Sequence, residues 1–332
     1  MALDEDLKVQ VMMVGGGRCG KTSILAAMKA NFEEHFAKTS LTVSFGDLDT
    51  LEVLEAKNNE IADYFLGAEN RTFTPDSNPT EDMMTYTYSI GIAEKRGKIK
   101  VDFVDYPGEW LTDKEHNNNL LECMKKTQVI IVAIDTPHLM EEDGRFNEHR
   151  NFCRRTSEML KMALEETSCG KMLVLFVPLK CEKYLCDGKM EEVREKTEEA
   201  YNTLINYLAR SQTKYEVAVT PIFTLGGAAF SHFERDKQTG KIKMNDKFHT
   251  PENAIYYFPD ITVKKPAPKY CEQPIVYLLA YLMQMAGDIK EEKYGIANFW
   301  GKLGIKFQEW VFNTASASDY LKQKDVVLNR IK

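Results

Sequence analysis

The chain has 332 residues, 43% hydrophobic and 28% charged, with a formal net charge of −7. That balance suits a globular chain, and the acidic excess argues against a general nucleic-acid surface. No apolar run reaches the roughly 18–20 residues of a membrane-crossing helix, the opening MALDEDLKVQ lacks the features of a secretory leader, and seven scattered cysteines point to a reducing, cytoplasmic setting.

In chain order, KVQVMMV (8–14) reads as a buried strand. Residues 21–36 then carry Ile24, Leu25, Met28 and Phe32 at helical spacing. Between them Gly15-x-x-x-x-Gly20-Lys21-Thr22 fits the pattern G-x-x-x-x-G-K-[ST] without departure, in the strand-to-helix context that this pattern requires. The chemistry needs these residue types. The loop Gly15, Gly16, Gly17, Arg18, Cys19 and Gly20 would curl so that successive amides converge on phosphates, and the helix N-terminus adds the positive end of its dipole. Lys21 would reach the β- and γ-phosphates, Thr22 would give its hydroxyl to Mg²⁺, and Ser23 is placed to contact the α-phosphate. Cys19 is either a small loop filler or a thiol whose pKa the helix terminus and Lys21 lower.

Residues 47–67 predict a second helix, residues 68–81 a loop, and residues 83–94 and 98–108 two strands around a turn at 95–97. The second strand ends in VDYPGEW, a D-x-x-G arrangement. Strand alternation sends Asp105 to the metal side and Asp102 to the opposite face, and Gly108 would bring a backbone N–H to the γ-phosphate. Further on, LLECMKKT (120–127) reads as helix, 128–136 as a buried strand, 145–168 as an amphipathic helix, 171–179 as strand, 190–211 as helix and 215–225 as strand. Strands alternating with helices imply an α/β fold: a doubly wound, mostly parallel sheet with helices on both faces.

Two insertions interrupt it, a helical one at about 37–79 and a small β-rich one at 229–271, with a hairpin turning at Gln238–Gly240. A core helix returns at 272–287. The expected organisation is a nucleotide-binding domain over 1–288 and a helical tail over 289–332. In the tail, residues 295–312 have apolar spacing suited to packing on the sheet, or to a partner or membrane surface. Cys181 and Cys186 lack the second pair that a zinc site would need.

The P-loop, a threonine-bearing loop, a hairpin and D-x-x-G follow in the order of Ras-like, translation-factor-related (TRAFAC) P-loop GTPases. VDYPGEWL more narrowly resembles the motif of bacterial YcjX-like and double-GTPase-type proteins. The resemblance is strong over 8–136 and continues by order of elements to about 287. It implies that Thr80 completes the metal shell with Thr22 and Asp105, Thr74 being the alternative. It puts Glu109 where many relatives carry a water-orienting glutamine, so the catalytic set is Lys21, Gly108 and Glu109. Arg18, Arg71 and Arg96 lie in or near loops that could face the phosphates. Where guanine-specific members carry N-K-x-D, this chain has Leu179-Lys180-Cys181-Glu182. Lys180 would lie along the base and Glu182 would accept from its edge, while Thr224, Leu225 and Gly226 offer amides to guanine O6. The implied function is Mg-dependent binding of GTP/GDP and slow GTP hydrolysis, a switch acting on a protein effector or regulator in a bacterial stress or defence setting. Two alternatives stand beside it: a nucleotide-bound scaffold with little hydrolysis, and an ATPase that uses the same phosphate site.

Overall fold

The computed structural model describes residues 7–36, 41–66, 72–75, 82–92, 98–167, 169–211, 214–260, 262–263 and 265–288. Thr80, Arg71, Arg96 and the 289–332 tail lie outside the described residues.

The first half runs β1 (Leu7–Val14), α1 (Lys21–Phe36), β2 (Leu41–Phe45), α2 (Leu48–Leu66), β3 (Thr72–Phe73), β4 (Met84–Ile92), β5 (Lys98–Asp105), α3 (Asn117–Lys125) and β6 (Val129–Asp135). After β6 come α4 (Thr136–Met140), α5 (Asn147–Asn151), α6 (Cys153–Glu166), β7 (Met172–Leu179) and α7 (Glu182–Cys186). Then follow α8 (Met190–Ala200), α9 (Asn202–Ala209), β8 (Tyr215–Val219), β9 (Ala229–Phe233), β10 (Met244–Asn245), β11 (Thr250–Pro251), β12 (Ala254–Tyr257) and α10 (Gln273–Asp288).

Seven strands form one sheet in the order β2-β4-β5-β1-β6-β7-β8. β1 pairs in parallel with β5 and β6, and the parallel run continues through β7 to β8. β4 and β2 add an antiparallel edge. The fold class read from the sequence is therefore the one observed. Alternation along β1 explains the double winding. Val9, Val11 and Met13 face a cluster with Ile24 and Met28 of α1 and Ile275 and Leu279 of α10. Met12 and Val14 face the other side, with Leu120 of α3, Leu160 and Leu164 of α6 and Leu204 of α9. Because the central strands run in parallel, β1, β5, β6 and β7 all deliver their carboxyl ends to one edge, where ligands of such sheets bind.

The local reading needs four corrections. Residues 41–45, taken into the helical insertion, form the edge strand β2 instead. The single helix expected over 145–168 is broken at Phe152, whose φ of +49° is left-handed. The helix expected over 190–211 is broken at Tyr201. The last strand stops at Val219 rather than Leu225, as Pro221 has no N–H to donate to a ladder.

The two insertions meet in a second sheet, β3-β12-β9. Phe73 of the early insertion pairs with Tyr256 of the late one, over an aromatic cluster of Phe65, Phe146, Phe230, Phe233, Tyr256 and Phe258. The expected hairpin is present, with Arg235 bridging Ile242 and Gly240 at φ +68°.

Candidate nucleotide-binding site

The loop between β1 and α1 turns through two left-handed positions, Arg18 (φ +60°) and Gly20 (φ +111°); only at Gly20 does glycine carry the turn into α1 without strain. Gly16 is needed for a different reason: a Cβ there would lie 2.0 Å from the Arg150 carbonyl oxygen. Gly108 is packed as tightly, since its Cβ would meet Gly17 N at 2.0 Å and Gly16 C at 2.3 Å. The D-x-x-G glycine is thus in direct backbone contact with the phosphate loop.

Lys21 is buried and donates to the carbonyls of Gly15 (3.1 Å) and Gly16 (3.2 Å), with its ammonium 5.3 Å from the centre of the Tyr106 ring. Gly15 N–H points to Tyr106 Oη at 3.4 Å. Thr22, in the first turn of α1, donates its hydroxyl to Asp105 Oδ2 at 2.6 Å. Sequence spacing expected these two as metal ligands, and the fold brings them together. Asp105 Oδ1 is buried and has no hydrogen-bond partner among the described residues. Burial raises the Asp105 carboxyl above its usual range, with Lys21 and Thr22 opposing. An unsatisfied buried carboxylate oxygen beside a threonine hydroxyl is an all-oxygen donor set that fits a hard divalent cation. Ser23 follows in the same helical turn, half-buried.

Cys19 is fully buried, and burial pushes its thiol up rather than down, outweighing Lys21. A buried thiol of raised pKa is inert, so the filler reading of Cys19 stands and the reactive one falls. The exposed Glu109 lies over Gly17, where a Cβ would meet its Oε1 at 2.4 Å. Thr74 lines a cavity of about 390 Å³ on the Lys180 side of the loop, together with Arg18, Asp135, His138 and Arg150.

At the base-reading end, Lys180 takes φ +59° and its ammonium reaches Arg18 O (3.3 Å) and Asp135 Oδ2 (2.7 Å). Its amide donates to Thr224 Oγ1 at 2.9 Å. Glu182 turns inward: its Oε1 accepts from the amides of Leu225 (2.6 Å) and Gly226 (2.9 Å), while Oε2 is buried without a partner among the described residues. The two amides expected at guanine O6 are here bonded to Glu182. Burial pushes the Glu182 carboxyl up to about 7.

One part of the site was not anticipated from the sequence. Asp135, at the end of β6, caps α4 and accepts from His138 Nδ1 at 2.6 Å. Arg150 Nε points to His138 Nε2 at 3.4 Å, and Arg150 Nη1 donates to Gly17 O at 3.2 Å. A ring nitrogen facing an arginine N–H must be the acceptor, so the Nδ1 of His138 carries the proton. Burial holds the imidazole neutral, its pKa below the usual value. Asp135 stays ionised: burial pushes it up, but His138, Lys180 and Arg150 together hold it well below the carboxylate range. The buried Asn151 braces both backbone groups of Asp135, accepting from its N–H at 2.8 Å and donating to its carbonyl at 3.2 Å. The signal for these residues was only local polarity inside an apparently continuous amphipathic helix.

A loop jammed between β1 and α1, with its metal-side pair joined across the sheet edge, places the chain among the P-loop α/β nucleotide-binding proteins. The family model described as Double-GTPase 2 matches residues 10–230, most of the chain. The chain belongs to the Double-GTPase 2 family. Two structures of the S. cerevisiae Ski7 GTPase-like domain are similar in part: one bound to GDP and inorganic phosphate (11% identity, 67% of this chain) and one bound to GTP (12%, 68%), each with a TM-score of 0.37. The matched part covers 44% of each Ski7 chain, so this protein spans less than half the length of those relatives. A search of the curated proteins gives no match. Among the described residues, no helix is long and apolar enough to cross a membrane.

Proposed function

We propose that this chain binds GTP with Mg²⁺ and hydrolyses it slowly, as a switch read by a protein partner. The observation that carries the proposal is the Thr22–Asp105 pair, 2.6 Å apart with Asp105 Oδ1 unsatisfied, immediately beside a buried P-loop lysine. Thr22 and Asp105 are the residues that would hold Mg²⁺, with Thr80 as the third; the ion would neutralise charge on the β- and γ-phosphates. Lys21 would exchange its two carbonyl partners for phosphate oxygens, a change from neutral to charge-assisted hydrogen bonds. The Gly108 amide, held against Gly17, would sense the γ-phosphate, and Glu109 would orient the water. Membership of a family described as a double GTPase supports guanine, as does Lys180 bridging the base motif to the P-loop carbonyl of Arg18. The cytoplasmic setting and the bacterial stress or defence context remain part of the proposal through the resemblance alone.

Parallel titration with labelled GTP and ATP, with Mg²⁺ and with chelator, is the test. Mg-dependent binding that favours GTP is expected; tighter ATP binding overturns the base assignment, and no binding of either overturns the reading. A second reading, relaxed base choice or ATP, is favoured by one observation: the Glu182 carboxyl already accepts from Leu225 and Gly226. Single-turnover hydrolysis separates the switch from a nucleotide-bound scaffold.

A further inference from the structure

We propose that Arg150 is this chain's own arginine for the transferring phosphoryl group, delivered to the P-loop by the strained break between α5 and α6. The proposal rests on the GTP-hydrolysis reading above.

The break is unusual. Phe152 is a bulky residue in the left-handed region, where such side chains are rarely found and where strain persists only if the surroundings over-determine it. What the strain achieves is visible at the preceding residues. It turns the Arg150 carbonyl onto Gly16, so closely that no Cβ fits, and it buries Asn151 against the end of β6. The Arg150 side chain is thereby tied to the loop from both ends.

The guanidinium is also oriented. Nε is held by the neutral His138, which Asp135 fixes in its tautomer, and Nη1 rests on Gly17 O. Lys180 closes a ring, since it binds Asp135 and Arg18 O. The chain Lys180–Asp135–His138–Arg150 therefore starts and ends on consecutive carbonyls of the phosphate loop. Nη2 of Arg150 has no partner among the described residues. Arg150 lines a small cavity with Gly17, Arg18, Glu109 and Glu252, which puts the cation and the water-orienting candidate in one space. Arg18, the other described arginine at this point, is exposed and no contact fixes its side chain. Thr250, Pro251 and Glu252 of the late insertion wall the same cavity, closing the side of Gly17 from which a partner's arginine would enter.

The chemistry gives the cation a task. Water oxygen bonds to the γ-phosphorus while the bond to the β–γ bridging oxygen breaks; that electron pair leaves on the β-phosphate of GDP, and the water proton is released with inorganic phosphate. Negative charge grows on the bridging oxygen, and a fixed guanidinium beside the loop stabilises it without reorganisation.

The test compares full-length wild type, Arg150→Ala and Arg150→Lys in single-turnover GTP hydrolysis, GDP binding and formation of the GDP–fluoroaluminate complex, which mimics the phosphoryl group in transit. The expected result is a rate loss of roughly 100-fold or more in both variants, because lysine lacks the planar fork. GDP affinity should stay within about 3-fold, and neither variant should form the fluoride complex. A merely bracing role at Gly17 would weaken GDP binding in parallel and be restored by lysine, and that pattern overturns the proposal. Hydrolysis by Arg150→Ala at the wild-type rate overturns it while leaving the GTPase reading intact. Should Arg150→Ala not fold, Arg150→Lys, with its charge and stem retained, decides alone: wild-type turnover overturns, lost turnover with normal GDP binding supports. A wild-type chain that binds no guanine nucleotide overturns both readings together.

Discussion

Replacing Glu182 with glutamine keeps the acceptor used by Leu225 and Gly226 but removes a group that can ionise. The Glu182 carboxyl is 4% exposed. Burial raises its pKa from the ordinary 4.5 to about 7, against the opposing pull of the two amides and Lys180. The folded chain therefore keeps this proton through a pH range in which the unfolded chain has released it. The unfolded state binds fewer protons there, so stability falls as pH rises: the contribution is fully present below about pH 4.5 and is lost as pH passes about 7. At roughly 1.4 kcal/mol per tenfold change in proton affinity, the wild type should lose about 3 kcal/mol relative to Glu182→Gln. Urea unfolding of both proteins at several pH values between about 5 and 8 reads this difference. Asp135 and His138 titrate in both proteins, so their effects cancel. A stability difference that stays constant within about 0.5 kcal/mol across that range would refute the reasoning, because the carboxyl would then be titrating as an exposed one does.

Three further outcomes follow from the same geometry. Asp105→Asn removes the carboxylate that faces Thr22 and Lys21, and the Mg-dependent part of the GTP-induced rise in Tm should disappear; a Tm shift as sensitive to chelator as that of the wild type contradicts the metal assignment. Gly108→Ala would force a Cβ to 2.0 Å from Gly17 N; overpacking of this kind costs about 1–3 kcal/mol, and GTP affinity should fall with it, so unchanged unfolding and binding curves would deny the contact. Asn151→Ala strips the Asp135 amide and carbonyl of their partner in a fully buried place, and thermal unfolding should show a loss of about 2–4 kcal/mol; a loss under about 0.5 kcal/mol would mean that water replaces the amide.

The phosphate loop, Asp105 and the two-sided sheet were legible because each depends on a pattern a few residues long. Alternation in KVDFVD decides which aspartate faces the metal, and the structure places Asp105 against Thr22 accordingly. β2 was equally legible in principle, since Leu41, Val43 and Phe45 alternate with Thr42 and Ser44, but five residues between two helices are easily absorbed into them. Other features were not local. The direction of the Cys19 shift depends on how much chain covers it, and burial outweighs a neighbouring lysine. Arg150 and His138 read as the solvated side of their segments; only the left-handed Phe152, which no propensity favours, turns Arg150 to the loop. The inward turn of Glu182 depends on amides at Leu225 and Gly226, which the loop after β8 supplies.

The pairing of the two insertions has a mechanical consequence for any switch built on this site. Phe73 stacks on Tyr64 and Phe258, with ring centroids 5.0 Å apart in each case, and packs 5.8 Å from Tyr256. That anchors the early insertion to the late one at β3, immediately before Thr74. Ten residues further on, the chain is anchored again as β4 enters the main sheet at Met84, opposite Asp105. A nucleotide-dependent rearrangement of the threonine-bearing loop is thereby bounded by two fixed strands, and the long helical insertion ahead of it need not move. The same late insertion that holds β3 also supplies Thr250–Glu252 to the wall beside Gly17 and Arg150. One sheet of three short strands thus ties both flanks of the phosphate loop together, so a change at either flank is felt through Tyr256 at the other.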